Sequence, residues 1–295
     1  MSIQNTLTTD IRTDRVTAEG DEIVFDVRGD GAPIVLLPGT PGDASVYSLV
    51  AGPLATDHTV ITYDPRGFGR STGREPRRYE IGQQARDVAA VLQAAGVERA
   101  TVFGNSAGAE VALELGKNIP DVVAGLVVHE PPVIRVLPDA GELQTKIAEI
   151  YRTAWTEGPK QGFLDFLLLS QLPFNAGKPF TQAEVEALRP NADAMPGLEF
   201  ADFYVKYQML PLTNYKPDLA AIAGNGVNVV VGAGALSLGL PFGRTSRRIA
   251  DELGVPFVTF PGHHGSHTDP ATAGAWTETL RKALAALGEA STKES

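Results

Sequence analysis

The chain has 295 residues, with a hydrophobic share of 43% and a charged share of 20%, the balance of a folded α/β domain carrying an insertion and not of a disordered chain. A formal charge of -10 argues against a nucleic-acid or anionic-membrane partner, either of which calls for a basic face. The absence of cysteine excludes disulfides, thiolate metal sites and cysteine nucleophiles.

The first 22 residues are polar, carry Asp10, Asp14 and Glu19 and contain no apolar run. The expectation is a cytoplasmic protein with neither a signal peptide nor a membrane span. Residues 22–29 then alternate in polarity, as an antiparallel strand with one wet face does. Residues 33–39 are continuously apolar, as a strand buried on both faces should be, and further short β-branched runs follow at 59–64, 100–104, 125–130, 227–232 and 256–260. Amphipathic helical stretches lie between them at 81–95, 107–117, 244–253 and 273–287. This alternation predicts a mostly parallel sheet with helices on both faces.

One interval breaks the pattern. Residues 133–223 show no buried strand and gather the aromatics Trp155, Phe163, Phe166, Phe174, Phe180, Phe200, Phe203, Tyr204 and Tyr207. A segment this long between two strands exceeds a connection and predicts a helical cap on a core formed by residues 1–132 and 224–295. Most of these aromatics should form the cap's own core. Trp155, Phe163, Phe203 and Tyr207 are the candidates for facing a substrate. The terminal residues 291–295 read as a frayed polar tail.

The strongest chemical signal is Gly104-Asn105-Ser106-Ala107-Gly108, set directly between a β run and a helical pattern. In that strand–turn–helix context a G-x-S-x-G turn lifts its serine to the carboxyl edge of the sheet, with a helix N-terminus behind it to favour developing negative charge. Small residues at 104 and 108 let so tight a turn pass. A serine hydroxyl needs a base to become a nucleophile, and five histidines are available. His58 precedes a strand in the far part of the sheet, and His129 adjoins Glu130 and should point to the opposite side. His263, His264 and His267 cluster after the last strand, in a loop that reaches the same sheet edge as Ser106. Within that cluster His264 fits a P-G-x-H turn, leaving His263 and His267 as alternatives. An oxyanion formed at Ser106 needs two N–H donors. The Ala107 N–H is one by geometry, and the loop Pro38-Gly39-Thr40-Pro41 offers the Thr40 N–H as the second.

From Glu22 to Leu287 the chain resembles the α/β-hydrolases. The serine elbow, the Pro-Gly-Thr-Pro loop at the oxyanion position, the stretch from Asp64 to Ser71 and the Pro-Gly-His-His turn follow that family's order. In the resemblance, residues 64–71 are a structural loop, and Arg66 and Arg70 belong to scaffold or pocket rim. The family's usual acid follows the penultimate strand, but positions 232–238 hold no carboxylate, and Asp251 and Glu252 come too late. A minority of the family place the acid after the strand that follows the nucleophile helix, where this chain has His129-Glu130-Pro131-Pro132. In this layout the chain is similar to the zearalenone-type lactonases, and the likeness implies a trio of Ser106, His264 and Glu130. It lies in the core motifs, since the cap, whose one indole is Trp155, carries no match to a pocket tryptophan of theirs. A structural strand-end role for Glu130 is the competing reading.

These readings together predict a serine esterase or lactonase working through an acyl-enzyme, with no metal or organic cofactor, on a neutral, moderately apolar small molecule. C–C bond hydrolysis, hydroxynitrile cleavage and perhydrolysis use the same trio and remain alternatives, as does, more remotely, a non-catalytic ligand receptor. Haloalkane dehalogenase and epoxide hydrolase chemistry requires a carboxylate nucleophile, and position 106 is serine.

Overall fold

The computed structural model describes residues 10–73, 78–173, 178–195 and 197–291. Phe174 and the last four residues of the expected tail lie outside them. Eight strands form one sheet in the order β1-β2-β4-β3-β5-β6-β7-β8. These are β1 Arg12–Ala18, β2 Asp21–Arg28, β3 Ala32–Leu37, β4 His58–Tyr63, β5 Ala100–Asn105, β6 Val123–His129, β7 Val229–Gly234 and β8 Phe257–Phe260. The pairs β1–β2 and β2–β4 are antiparallel, and every later pairing is parallel. The chain has the α/β-hydrolase architecture.

The apolar strands are central. In β3, β5 and β6 the residues from Ile34, Val102 and Leu126 onward are buried, as two-sided coverage requires. Helices α1 Ser48–Leu54 and α11 Ala273–Ser291 close one face over a core that includes Trp276 and Phe103. Helices α2 Ile81–Ala95, α3 Ala107–Asn118 and α10 Pro241–Leu253 close the other, around Val88, Leu113 and Ile249. Between β6 and β7 the described residues form helices and no strand: α4 Ala140–Thr156, α5 Pro159–Ser170, α6 Gln182–Leu188, α7 Ala201–Phe203, α8 Met209–Asn214 and α9 Leu219–Gly224. A single π-helical turn, Tyr204–Gln208, joins α7 to α8.

Two elements were absent from the sequence reading. Strand β1 is an edge strand whose first four residues are exposed, so it shows no apolar alternation. Helix α1 is seven residues long and holds Pro53, which removes the usual helical signature. No helix among the described residues is long and apolar enough to cross a membrane.

Candidate active site

Ser106 sits between β5 and α3 with φ 56° and ψ -123°, a conformation that L residues avoid. The surroundings impose it. A Cβ at Gly104 would meet the Gly108 carbonyl oxygen at 2.3 Å, and one at Gly108 would meet the Leu37 carbonyl oxygen at 2.3 Å, so strand, turn and helix can pack this closely only with glycine at both places. The Ser106 N–H donates to the His129 carbonyl at 2.9 Å, which ties the turn to β6.

That tie places the end of β5 beside Glu130. Glu130 follows β6 with φ 48°, so the chain turns away from the sheet immediately after the last strand residue. Helix α10 braces the turn: the Glu130 N–H donates to Ser246 Oγ at 3.1 Å, and the Thr245 hydroxyl donates to the Pro131 carbonyl at 2.5 Å. The carboxylate is 1% exposed. Its Oε1 accepts the Gly234 N–H at 2.8 Å, and its Oε2 lies 2.8 Å from His264 Nδ1. Burial alone would raise the Glu130 pKa, but the His264 hydrogen bond and charge outweigh it and bring it down to about 2. The stretch that lacks the family's usual acid therefore supplies a backbone donor to a carboxylate arriving from β6.

With Nδ1 engaged by Glu130, His264 has Nε2 left for proton exchange, and it lines the same cavity as Ser106. The other histidines are placed differently. His58 opens β4, at the amino end of the sheet, and pairs with Asp57. His129 is fully buried with Nδ1 2.7 Å from Asn105 Oδ1, and burial lowers its pKa to about 4. His263 accepts the Gly265 N–H on Nδ1 at 3.2 Å. His267 stacks on Tyr47 at a centroid distance of 5.2 Å, and burial lowers its pKa to about 3. His267 also lines the Ser106 cavity, though away from Glu130's hydrogen bonds.

The cavity holds about 320 Å³. Gly39, Thr40, Asn105, Ser106 and His264 contribute its polar part, while Phe163, Phe166, Phe200, Tyr204 and Leu212 form an apolar wall. Neither the Thr40 nor the Ala107 N–H has an acceptor among the described residues, so both remain available to an incoming oxygen. Of the four expected substrate contacts, Phe163 lies on this cavity. Trp155 does not: it is 52% exposed, stands edge-on to Tyr207 and carries the Lys206 ammonium over its ring. Phe203 and Tyr207 also lie elsewhere, on a second cavity with Phe68, Tyr79 and Gln84. Helical rotation accounts for these placements, because aromatic character alone does not say which side of an inserted helix meets the sheet edge. Arg66 bridges Asp21 and Asp87, and Arg70 joins Asp26 to Asp64, as scaffold residues would. No cluster of three or more potential metal ligands occurs among the described residues.

Residues 32–201 match the α/β hydrolase fold family. The chain belongs to that family. It is 28% identical over 254 residues to an uncharacterized hydrolase, YraK, of Bacillus subtilis (strain 168), covering 84% of this chain and 88% of that protein. Among solved structures it is similar to Est816, described as an N-acyl homoserine lactone degrading enzyme, with 24% identity, a TM-score of 0.67 and coverage of 91% of this chain and 99% of the other. A thermophilic esterase from Thermogutta terrifontis gives 20% identity, the same TM-score of 0.67, and coverage of 94% and 99%. These likenesses establish the fold, and hydrolysis is the chemistry the relatives' names share. A fold hosts many reactions, so the particular reaction has to be argued from the site.

Proposed function

We propose that this protein is a serine hydrolase of carboxylic esters or lactones, acting through an acyl-enzyme with Ser106 as nucleophile, His264 as base and Glu130 as the acid. The observation that supports this reading best is the 2.8 Å contact between His264 Nδ1 and Glu130 Oε2, at the cavity where a strained Ser106 is displayed. Ser106 Oγ attacks the carbonyl carbon while His264 Nε2 takes its proton. The buried Glu130 carboxylate holds the imidazole in the tautomer that presents Nε2 and stabilises the imidazolium. The Thr40 and Ala107 N–H groups receive the oxyanion, and His264 returns the proton to the leaving alcohol. A water activated by His264 then releases the acid and restores Ser106. In a lactone the leaving alcohol stays attached to the acyl chain, so one molecule of hydroxy acid is released. No metal or organic cofactor enters this route.

The wall of Phe163, Phe166, Phe200, Tyr204 and Leu212 favours a neutral, apolar acyl or alcohol portion. Residues 133–223 serve as the cap that supplies this wall to a core of 1–132 and 224–295. The lactone and ester chemistry named for the two structural neighbours agrees with this reading. A panel of p-nitrophenyl esters and γ- and δ-lactones, assayed with the unmodified protein and Ser106→Ala, tests it. Turnover lost in Ser106→Ala supports the proposal, and turnover that survives the substitution overturns it.

A further inference from the structure

Thr40 belongs to a tight loop whose Gly42 N–H closes back on the Gly39 carbonyl at 2.7 Å, and its side chain does not point idly at solvent. The Thr40 hydroxyl donates to Gln208 Oε1 at 2.7 Å, a contact between residues 168 positions apart. Gln208 is 1% exposed and ends the π-helical turn between α7 and α8. Its Nε2 is buried with no partner among the described residues. An amide kept in the interior with half its hydrogen-bonding capacity unused is costly and calls for a reason. A π turn is likewise unfavourable relative to continuous α-helix, and such turns concentrate at functional sites. Both features converge on one bond. Gln208, Gly39, Thr40 and Ala107 also line one narrow cavity, so this residue borders the same space as both residues whose N–H groups are assigned to the oxyanion.

We propose that Gln208 is a positioning residue for the oxyanion loop: by accepting the hydrogen bond of the Thr40 hydroxyl, it holds the Thr40 N–H aimed at the reacting carbonyl. This rests on the reading of Thr40 as an oxyanion donor. The insertion then does more than cover the cavity, because its π turn completes the alignment of a donor in the core. A donor already aligned before attack stabilises the transition state without reorganising during it. Substrate held by the apolar wall is untouched by that alignment, so loss of the bond reads out in kcat and not in KM.

The test is steady-state hydrolysis of p-nitrophenyl acetate by the unmodified protein, Gln208→Met, Thr40→Val, Thr40→Ser and the double variant Gln208→Met/Thr40→Val, with Ser106→Ala as control. Methionine keeps the length of glutamine without the acceptor, and valine keeps the shape of threonine without the donor. The expected result is a kcat lowered about ten-fold in each of Gln208→Met and Thr40→Val with KM within about two-fold, less than the roughly hundred-fold or greater cost of deleting a donor outright. The double variant should be no worse than either single, and Thr40→Ser, which keeps the hydroxyl, should recover most of the loss. Should Gln208→Met fail to fold, Thr40→Val against Thr40→Ser reads the same bond from its other end. Losses that multiply in the double variant, or single variants with undiminished kcat, overturn the proposal. Those results leave the hydrolase reading standing if Ser106→Ala abolishes turnover. Turnover independent of Ser106 removes the hydrolase reading and this inference with it.

Discussion

His264 Nδ1 and Glu130 Oε2 stand 2.8 Å apart although 134 positions separate the residues in the chain. Two independent loops make that contact: one leaves β6 through the left-handed turn at Glu130, the other leaves β8 at Gly262. The Gly234 N–H on the second carboxylate oxygen keeps Glu130 from rotating away. Glu130→Gln preserves size and the Gly234 contact but offers His264 no full negative charge. On the proposed mechanism the expected outcome is a kcat on p-nitrophenyl esters about 10³–10⁴-fold lower, the scale of losing the acid from a serine triad, with an unchanged circular dichroism spectrum. A kcat within ten-fold of the unmodified protein would return Glu130 to a structural role.

The cavity wall predicts a chain-length preference. Each buried methylene is worth about 0.8 kcal/mol, so kcat/KM should rise about four-fold per carbon from acetate upward until the cavity fills. Leu212→Trp narrows the wall and should abolish the gain for hexanoate while sparing acetate. Trp155→Ala should leave kcat/KM for the whole series within about two-fold, since the indole lies on the surface and off this cavity. An effect of Trp155→Ala larger than that of Leu212→Trp would contradict the assignment of the wall.

Two buried histidines make the fold acid-sensitive. His129 and His267 have pKa values lowered from 6.5 to about 4 and about 3 by burial, so between pH 6.5 and 4 the unfolded chain binds two protons that the folded chain does not. Stability therefore falls as pH falls through that window, by about 1.4 kcal/mol per pH unit for each group. Urea midpoints measured at pH 7.5, 6.5 and 5.5 should decline accordingly. His267→Phe, which keeps an aromatic ring against Tyr47, should roughly halve the slope. An unaltered slope would mean that His267 takes up its proton without unfolding.

Glu110, in the first turn of α3, is fully buried with neither carboxylate oxygen paired among the described residues, and burial raises its pKa well above the ordinary value. A carboxyl whose pKa rises on folding contributes a stability that falls as pH rises above its unfolded value. Glu110→Leu should stabilise the protein by about 1–3 kcal/mol, read as a raised urea midpoint at pH 8, with the gain shrinking toward pH 5. A lower midpoint would show that the carboxyl has a function that its packing does not reveal.

The strands and the tight turn at Ser106 were legible because each has a local cause. Continuous apolar runs mark β3 and β5, and the glycines at 104 and 108 answer a close approach that any such turn must make. Glu130 stood out by subtraction as the candidate acid, since positions 232–238 lack a carboxylate and one follows directly after β6. What stayed hidden depends on packing between distant segments. The sequence shows that the insertion is aromatic, but not that Tyr204 and Leu212 face Ser106 while Trp155 faces water. The bond from Thr40 to Gln208 crosses 168 positions and leaves no local pattern in either segment. Strand β1 was lost for the opposite reason, because its exposed polar face satisfies the edge of the sheet without any apolar signature.

The most direct test is intact-mass spectrometry after reaction with a fluorophosphonate, which phosphonylates an activated serine. The account predicts one adduct per chain, located on Ser106 by peptide mapping, absent from Ser106→Ala and formed far more slowly in His264→Ala. An unmodified protein that takes up no adduct, or an adduct that persists in Ser106→Ala, would contradict it.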